Sequence, residues 1–199
     1  MKQLILFLAV ILFFHSESFT QTKFEISGGY INNLNSENLF AHNKDGIQGS
    51  LTLLYPLTEL TQLTGKVIYQ SRAFNPKSFS FYVPLVVGYP MPVVTNGDDL
   101  KSFGLLIGAK VNSNRHHFIN PYVKAETGLI YHSGSQYELN NATRIQYSES
   151  RALFEYSVGI GLNVKLSNGY SFNIDGYLSH IPAEGLVYFP VNIGFQFAL

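Results

Sequence analysis

The residues of this sequence that could carry chemistry are mostly charged, and they recur at even spacing. Lys124 and Glu126 lie two apart in NPYVKAETGLIY, and Glu25, Lys66, Lys110, Glu155, Lys165 and Asp175 each fall on the polar parity of an alternating run. In a strand, residues two apart share a face. These eight charges, four of each sign, therefore belong to one face of a sheet. If that face is enclosed, the charges must pair to be tolerated. The expected arrangement is a structural ion-pair network built on Lys66, Lys124, Glu126, Glu155 and Asp175, and the sharper alternative is a narrow gated ion path through it. His42, His132 and His180 fall where they could meet at one end of such a sheet, and His116-His117 sits in a short turn, but neither group has metal-ligand spacing. No phosphate loop, zinc motif or catalytic triad is present, so no metal, cofactor or catalytic residue is expected. Asn141-Ala142-Thr143 matches a glycosylation acceptor, a triplet common by chance. The chain has no Cys, which excludes a disulfide framework and a lipid-anchored lipoprotein.

The elements that must position these residues are strands. In RALFEYSVGIGLNVKL, Ala152, Phe154, Tyr156, Val158, Ile160, Leu162, Val164 and Leu166 hold one parity, opposite Arg151, Leu153, Glu155, Ser157, Gly159, Gly161, Asn163 and Lys165. A helix would scatter those apolar residues around its circumference. Asn168-Gly169 then separates this run from GYSFNIDGYLSH, a strong hairpin signal. KFEISGGYI, GIQGSLTLLY, LTGKVIYQS, SFGLLIGAKVN, NPYVKAETGLIY and residues 188–199 alternate in the same way. Each run approximates the length that a tilted strand needs to cross a bilayer.

The first residues, MKQLILFLAVILFFHSESFTQ, combine a basic Lys2, an apolar run from Leu4 to Phe14 and small residues at Ser16, Ser18 and Thr20. Residues 1–20 are expected to be a cleaved signal peptide, and residues 21–199 one domain. Aromatic residues make up 15% of the chain, all Phe and Tyr, and charged residues only 13%, about half the share usual in a soluble domain. A net charge of zero gives no reason to expect nucleic acid as a partner. An exported, charge-poor, aromatic-rich chain of alternating strands points to a closed antiparallel up-and-down transmembrane β-barrel in the outer membrane of a Gram-negative bacterium. Tyr30, Tyr55, Tyr69, Tyr131, Tyr156 and Tyr170 fall near strand ends, where interfacial girdles sit. The glycines of the polar parity suit a crowded lumen, because they would weaken an exposed strand for no gain.

Strand number rests on loop lengths. Leaving out the alternating stretch 79–89, which holds Pro84, gives loops at 32–45, 72–101, 133–150 and 181–187 and turns at 56–60, 113–117 and 166–169. Long and short connections then alternate, as expected for eight strands with both ends on the periplasmic side. The alternative has ten strands, counting 79–89 and adding one from about Tyr137 to Tyr147.

INPYVKAETGLIY resembles the "PYVGAGLGY" strand of small outer-membrane barrels of the outer membrane protein A and X type, in the porin family sense. EYSVGIGLNVKLSNGYSFNIDGYL is similar to the following hairpin of that family. The ending NIGFQFAL resembles its assembly signal, carried here by Asn192, Gly194, Phe197 and Leu199, with Leu in place of the usual terminal aromatic. The resemblance implies outer-membrane lipid and the barrel-assembly machinery as partners, and a monomer. Lipid A deacylases of this size use a His-x-Ser-Asn motif near the final hairpin. The matching place reads HIPAEG, with Pro182 and Ala183 where serine and asparagine would stand. The expectation is thus a non-enzymatic barrel with a structural or surface-interaction role, its interior filled by polar and charged side chains. The alternatives are a secreted lipocalin-like binder of apolar ligands, although no Trp is present for the lipocalin signature, and a barrel enzyme acting on lipid.

Overall fold

The alternating segments form strands whose inward and outward sides reverse the usual order of a soluble protein. The computed structural model describes residues 22–34, 43–74, 94–113, 117–133, 135–139, 143–148, 150–167 and 169–198. The expected signal peptide, the stretch 79–89 and His42 lie outside the described residues. The strands are β1 (Lys23–Asn33), β2 (Asn43–Pro56), β3 (Thr61–Phe74), β4 (Val94–Gly97), β5 (Leu100–Asn112), β6 (Ile119–His132), β7 (Ser135–Leu139), β8 (Thr143–Ser148), β9 (Arg151–Ser167), β10 (Tyr170–Ile181) and β11 (Leu186–Ala198). Eight of them close into an antiparallel barrel in the order β1–β2–β3–β5–β6–β9–β10–β11, with β11 returning to β1.

Pairing fixes the tilt. Following partners around the barrel from Lys23 runs through Leu54, Thr64, Gly108, Glu126, Ser157, Ser179 and Tyr188 to Asn33, ten residues beyond the start. Such a stagger in eight strands goes with a tilt of roughly 35–45°. The strand ends joined across 57–60, 113–118 and 168–169 lie at one end, the turn end, together with Lys23 and Ala198. The barrel-strand ends joined across 34–42, 75–99, 133–150 and 182–185 lie at the other, the loop end.

The ten-strand alternative is overturned. Residues 135–139 and 143–148 pair as β7 and β8, and β7 also pairs with β4 in a separate three-stranded sheet. β7 follows β6 and β8 precedes β9, so the two prolong the β6–β9 pair past the barrel rim. Short pieces there find partners in each other, because no open barrel edge remains to accept them.

Burial alternates along each barrel strand with period two, as in β3, β6 and β10. The apolar parity faces out: Ile160 is 70% exposed, Ile107 69% and Ile47 66%. The outward middle of the wall is aliphatic or small, whereas Tyr30, Tyr69, Tyr131 and Tyr156 lie toward the loop end and Tyr55 and Tyr170 toward the turn end. Phe24 and Phe197 stack at 6.0 Å, and Tyr170 and Phe195 at 5.9 Å, where β1, β11 and β10 meet near the turn end.

The polar parity faces in. Glycines on it make room for large neighbours: a Cβ at Gly159 would run into the ring of Tyr177, and one at Gly161 into the ring of Tyr122. The inward face also carries an apolar cluster at the loop end, made of Ile31, Leu100, Ile130, Leu153, Ile181, Leu186 and Tyr188, all 0–8% exposed. Closing the wall thus leaves a lumen that is polar over most of its length and apolar at one mouth.

Candidate functional site: the barrel lumen

Inward parity and the tilt of the wall place charges from six strands around one axis. Glu126 on β6 is the centre. Its Oε2 accepts from Lys66 Nζ of β3 at 3.0 Å and its Oε1 from Lys124 Nζ of β6 at 2.9 Å. Lys124 Nζ also donates to the Tyr177 hydroxyl at 3.3 Å, and Lys66 Nζ lies 4.6 Å from the centroid of the same ring. All three charged groups are nearly inaccessible, with side-chain exposures of 0–4%. Two ammonium groups therefore share one carboxylate, and a tyrosine face takes up the positive charge left over.

The remaining carboxylates are hydrogen-bonded by neutral donors rather than by the lysines of the expected ion-pair network. Asp175 accepts from the Tyr122 hydroxyl at 2.7 Å and from Asn192 Nδ2 at 3.0 Å. Glu155 accepts from the Tyr188 hydroxyl at 2.6 Å. Glu25 accepts from Gln196 Nε2 at 2.7 Å. Neutral donors can sit closer to a carboxylate than a second full charge without adding a desolvation penalty of their own size. Lys110 lies with its Nζ 3.7 Å from the centroid of the Tyr122 ring.

Two placements correct the expected network. Lys165 is exposed, because β9 runs past the lumen toward the turn end. Its place in the charge balance is taken by Arg72, expected in a loop but found at the end of β3 and fully buried. Arg72 stacks its guanidinium on Tyr188 at 4.3 Å and donates to Gln70 Oε1 at 3.2 Å. Among the described strand residues the lumen still holds four cations, Lys66, Arg72, Lys110 and Lys124, against Glu25, Glu126, Glu155 and Asp175. Its parity with Lys66, Ile68 and Gln70 was visible in the sequence, since one more step of the alternating run reaches position 72.

Hydrogen bonds tie these groups along the axis. Gln70 Nε2 donates to Tyr188 Oη and to Gln48 Oε1, both at 3.2 Å, and Gln48 Nε2 in turn donates to Asn192. Asn192, expected in the assembly signal, is thus an inward residue of this chain. Gly194 also faces in, Phe197 faces out against Phe24, and Leu199 lies outside the described residues.

The two described histidines of the expected trio, His132 and His180, do not gather. His180 faces out of β10 beside the Tyr156 hydroxyl, whereas His132 faces in, with Nδ1 2.6 Å from Ser102 Oγ. Among the described residues no group of three potential ligands could hold a metal ion. His132 Nε2 lies 3.9 Å from Glu184 Oε2, so Ser102, His132 and Glu184 follow the order hydroxyl, imidazole, carboxylate. The second spacing is longer than a hydrogen bond, and Ser102 is 3% exposed in the wall of a filled lumen, out of reach of an acyl substrate. Nor can a lumen lined by charges and amides take an apolar ligand as a lipocalin-like binder would.

Glu184 sits on the one-turn 3₁₀ segment Pro182–Glu184 between β10 and β11. Pro182 and Ala183 are exposed and Glu184 turns under them, bonded to Arg151, which is half exposed. Gly185 adopts φ +60°, a left-handed conformation that glycine takes without penalty, and its N–H closes the turn on the Pro182 carbonyl at 3.1 Å. Burial pushes the Glu184 carboxyl above the ordinary carboxylate range, more than Arg151 and Arg72 pull it down.

No family model matches the chain, and no curated protein matches its sequence. Solved structures do match in fold. The barrel is similar to that of Neisserial surface protein A, with a TM-score of 0.60 and 11% identity over 92% of this chain and 100% of that one. It is similar to Ail, the attachment invasion locus protein of Yersinia pestis, with a TM-score of 0.51 and 14% identity over 89% of this chain and 100% of that one. A major outer membrane protein from Thermus thermophilus matches with a TM-score of 0.50 and 9% identity over 90% of this chain and 100% of that one. At these identities the likeness is one of fold: a closed eight-stranded antiparallel barrel of the kind found in small outer-membrane proteins.

Proposed function

We propose that the chain is an integral outer-membrane barrel of a Gram-negative bacterium with a structural or surface-interaction role and no catalytic activity. One observation carries this reading: the wall is inside-out. Ile107 and Ile160, about 70% exposed, stand on the outer face of strands whose inner face buries Lys110 and Glu155 to within 2%. In water that arrangement would expose a continuous apolar belt far larger than soluble monomers present. In lipid it is the stable one, and the aromatic residues near both ends match the two interfaces. Closure leaves no strand edge without partners inside the hydrocarbon.

The fold places the longer connections at one end, which is the outer side in this reading, with both chain ends in the periplasm. Outer-membrane lipid is then the solvent of the wall and the barrel-assembly machinery its insertion partner, with a single copy sufficient because the barrel closes on itself. Two neighbours in fold are described as a surface protein and an attachment invasion protein, which fits a role carried by the outer loops. The test is fractionation. Expressed in a Gram-negative host, the protein should sediment with outer membranes, resist carbonate extraction and migrate faster unheated than boiled. Recovery in the soluble periplasm without detergent would refute the reading.

A further inference from the structure

The turn 182–185 stands at the loop end of the lumen, between β10 and β11. Ile181 and Leu186, which flank it and pair with each other, are two of the seven residues of the apolar cluster, and both are completely buried. Below the cluster the lumen is polar down to the turn end, through Tyr188, Glu155, Gln70, Gln48, Asn192 and Asp175. Removing the turn from its seat would lift Ile181 and Leu186 out of the cluster and open this column to the outside. The turn is also the one place in the mouth, among the described residues, where a carboxylate is folded under: Glu184 is 8% exposed.

We infer that the turn 182–185 is a lid over the polar lumen, and that it stays seated only while the charge of Glu184 is neutralised, by Arg151 or by a proton. This rests on the reading of the chain as a membrane barrel. Among the described residues three charged or titratable groups face Glu184: Arg151 from β9, His132 from β6 with Nε2 at 3.9 Å, and Arg72 from β3. Arg151 alone is bonded to it, and with 46% of its side chain exposed it can leave without opening the core. The Ile181–Leu186 contact favours the seated lid, whereas a bare carboxylate under the turn disfavours it. The seated carboxyl binds a proton more tightly than a free one. Acid therefore closes the lid, and seating weakens as pH rises through the raised pKa.

The experiment measures amide deuterium exchange of residues 181–187 in lipid nanodiscs, and potassium chloride conductance in planar bilayers. Arg151→Gln should speed exchange at neutral pH by roughly tenfold or more and raise the frequency of small-conductance openings. Lowering the pH to about 5 should reverse both, after correction for intrinsic exchange chemistry. Arg151→Gln combined with Glu184→Gln should match the wild type in both and lose the pH dependence. Unchanged exchange in Arg151→Gln, or fast exchange persisting in the double variant, would overturn the lid. A pH dependence surviving in the double variant would assign the effect to His132 and overturn the role of Glu184. Fast exchange without openings would overturn access to the lumen. Protein that fails to insert and shows no heat-modifiable migration would refute the membrane reading instead, whatever the exchange.

Discussion

Single residues divide the lumen into charges that are shared and charges that are capped. Glu126 holds two lysines, so the three possible removals are unequal. Lys124→Met leaves Glu126 with Lys66 at 3.0 Å and Tyr177 without one of its two cations. Glu126→Gln leaves two ammonium groups in a lumen with no other carboxylate bonded to either among the described contacts. Breaking a buried pair by removing one partner costs about 3–5 kcal/mol, mostly from the uncompensated charge that remains. Glu126→Gln should fall at the upper end of that range and Lys124→Met below it. Urea unfolding of the two variants in lipid vesicles checks the order, with the exposed Glu59→Gln as a control expected to keep the wild-type midpoint. Equal midpoints for all three would show that the inner face is hydrated enough to screen its charges. The lysines and carboxylates were legible in the sequence because charge on one parity of a strand names its face. The tyrosines that complete the network were not. Tyr122, Tyr177 and Tyr188 share the inward parity with their partners, but an aromatic residue in an alternating run carries no mark of which face it serves.

Strands and turns set which of these residues meet. Parity assigned nearly every residue to a face, and the rhythm of connections fixed the number of barrel strands. Register was not legible, because it depends on how far each strand slides against the next. The ten-residue stagger around the barrel, and with it the meeting of Lys66 with Glu126 from strands that are not neighbours, follows from closure alone. The inward glycines show the consequence. Gly161 on β9 stands beside Tyr122 on β6, so Gly161→Val should displace the ring from Asp175 and destabilise the barrel by about 1–3 kcal/mol. Gly65→Val faces outward with nothing within 4 Å of an added Cβ and should leave stability unchanged or slightly raised. Unfolding midpoints of the two variants, measured side by side, test whether register rather than composition dictates where glycine is needed. The final strand raises a related question. Phe197 pairs with Phe24 on one side and Tyr170 on the other, so the last residues both close the barrel and match an assembly signal. Deleting residues 197–199 should leave unfolded protein in the periplasm in either case. Refolding the purified truncated chain into detergent micelles, with no machinery present, separates the two: success assigns the defect in cells to recognition, and failure assigns it to closure.

At the scale of the whole molecule, one arrangement of faces decides between a wall in lipid and a wall in water. Alternation by itself permits both, since a soluble barrel would carry the same pattern with its apolar parity turned inward. What selects the observed arrangement is volume and charge: an eight-stranded lumen has room for side chains only, and among the described strand residues they include four cations and four anions that would find no compensation if scattered against lipid. Ile160 lies near the middle of β9 on the outer face and is 70% exposed. In a membrane, Ile160→Arg places a guanidinium near the bilayer midplane and should cost about 2–4 kcal/mol, falling toward zero for the same change near either rim. Leu166→Arg, level with Tyr170 at the turn end, is that rim control. In a soluble barrel both positions would face water, and neither arginine would destabilise the fold. Unfolding both variants from lipid vesicles measures the difference directly. A loss at Ile160 several times that at Leu166 supports the wall in lipid, and equal small effects would place the apolar belt in water or against protein.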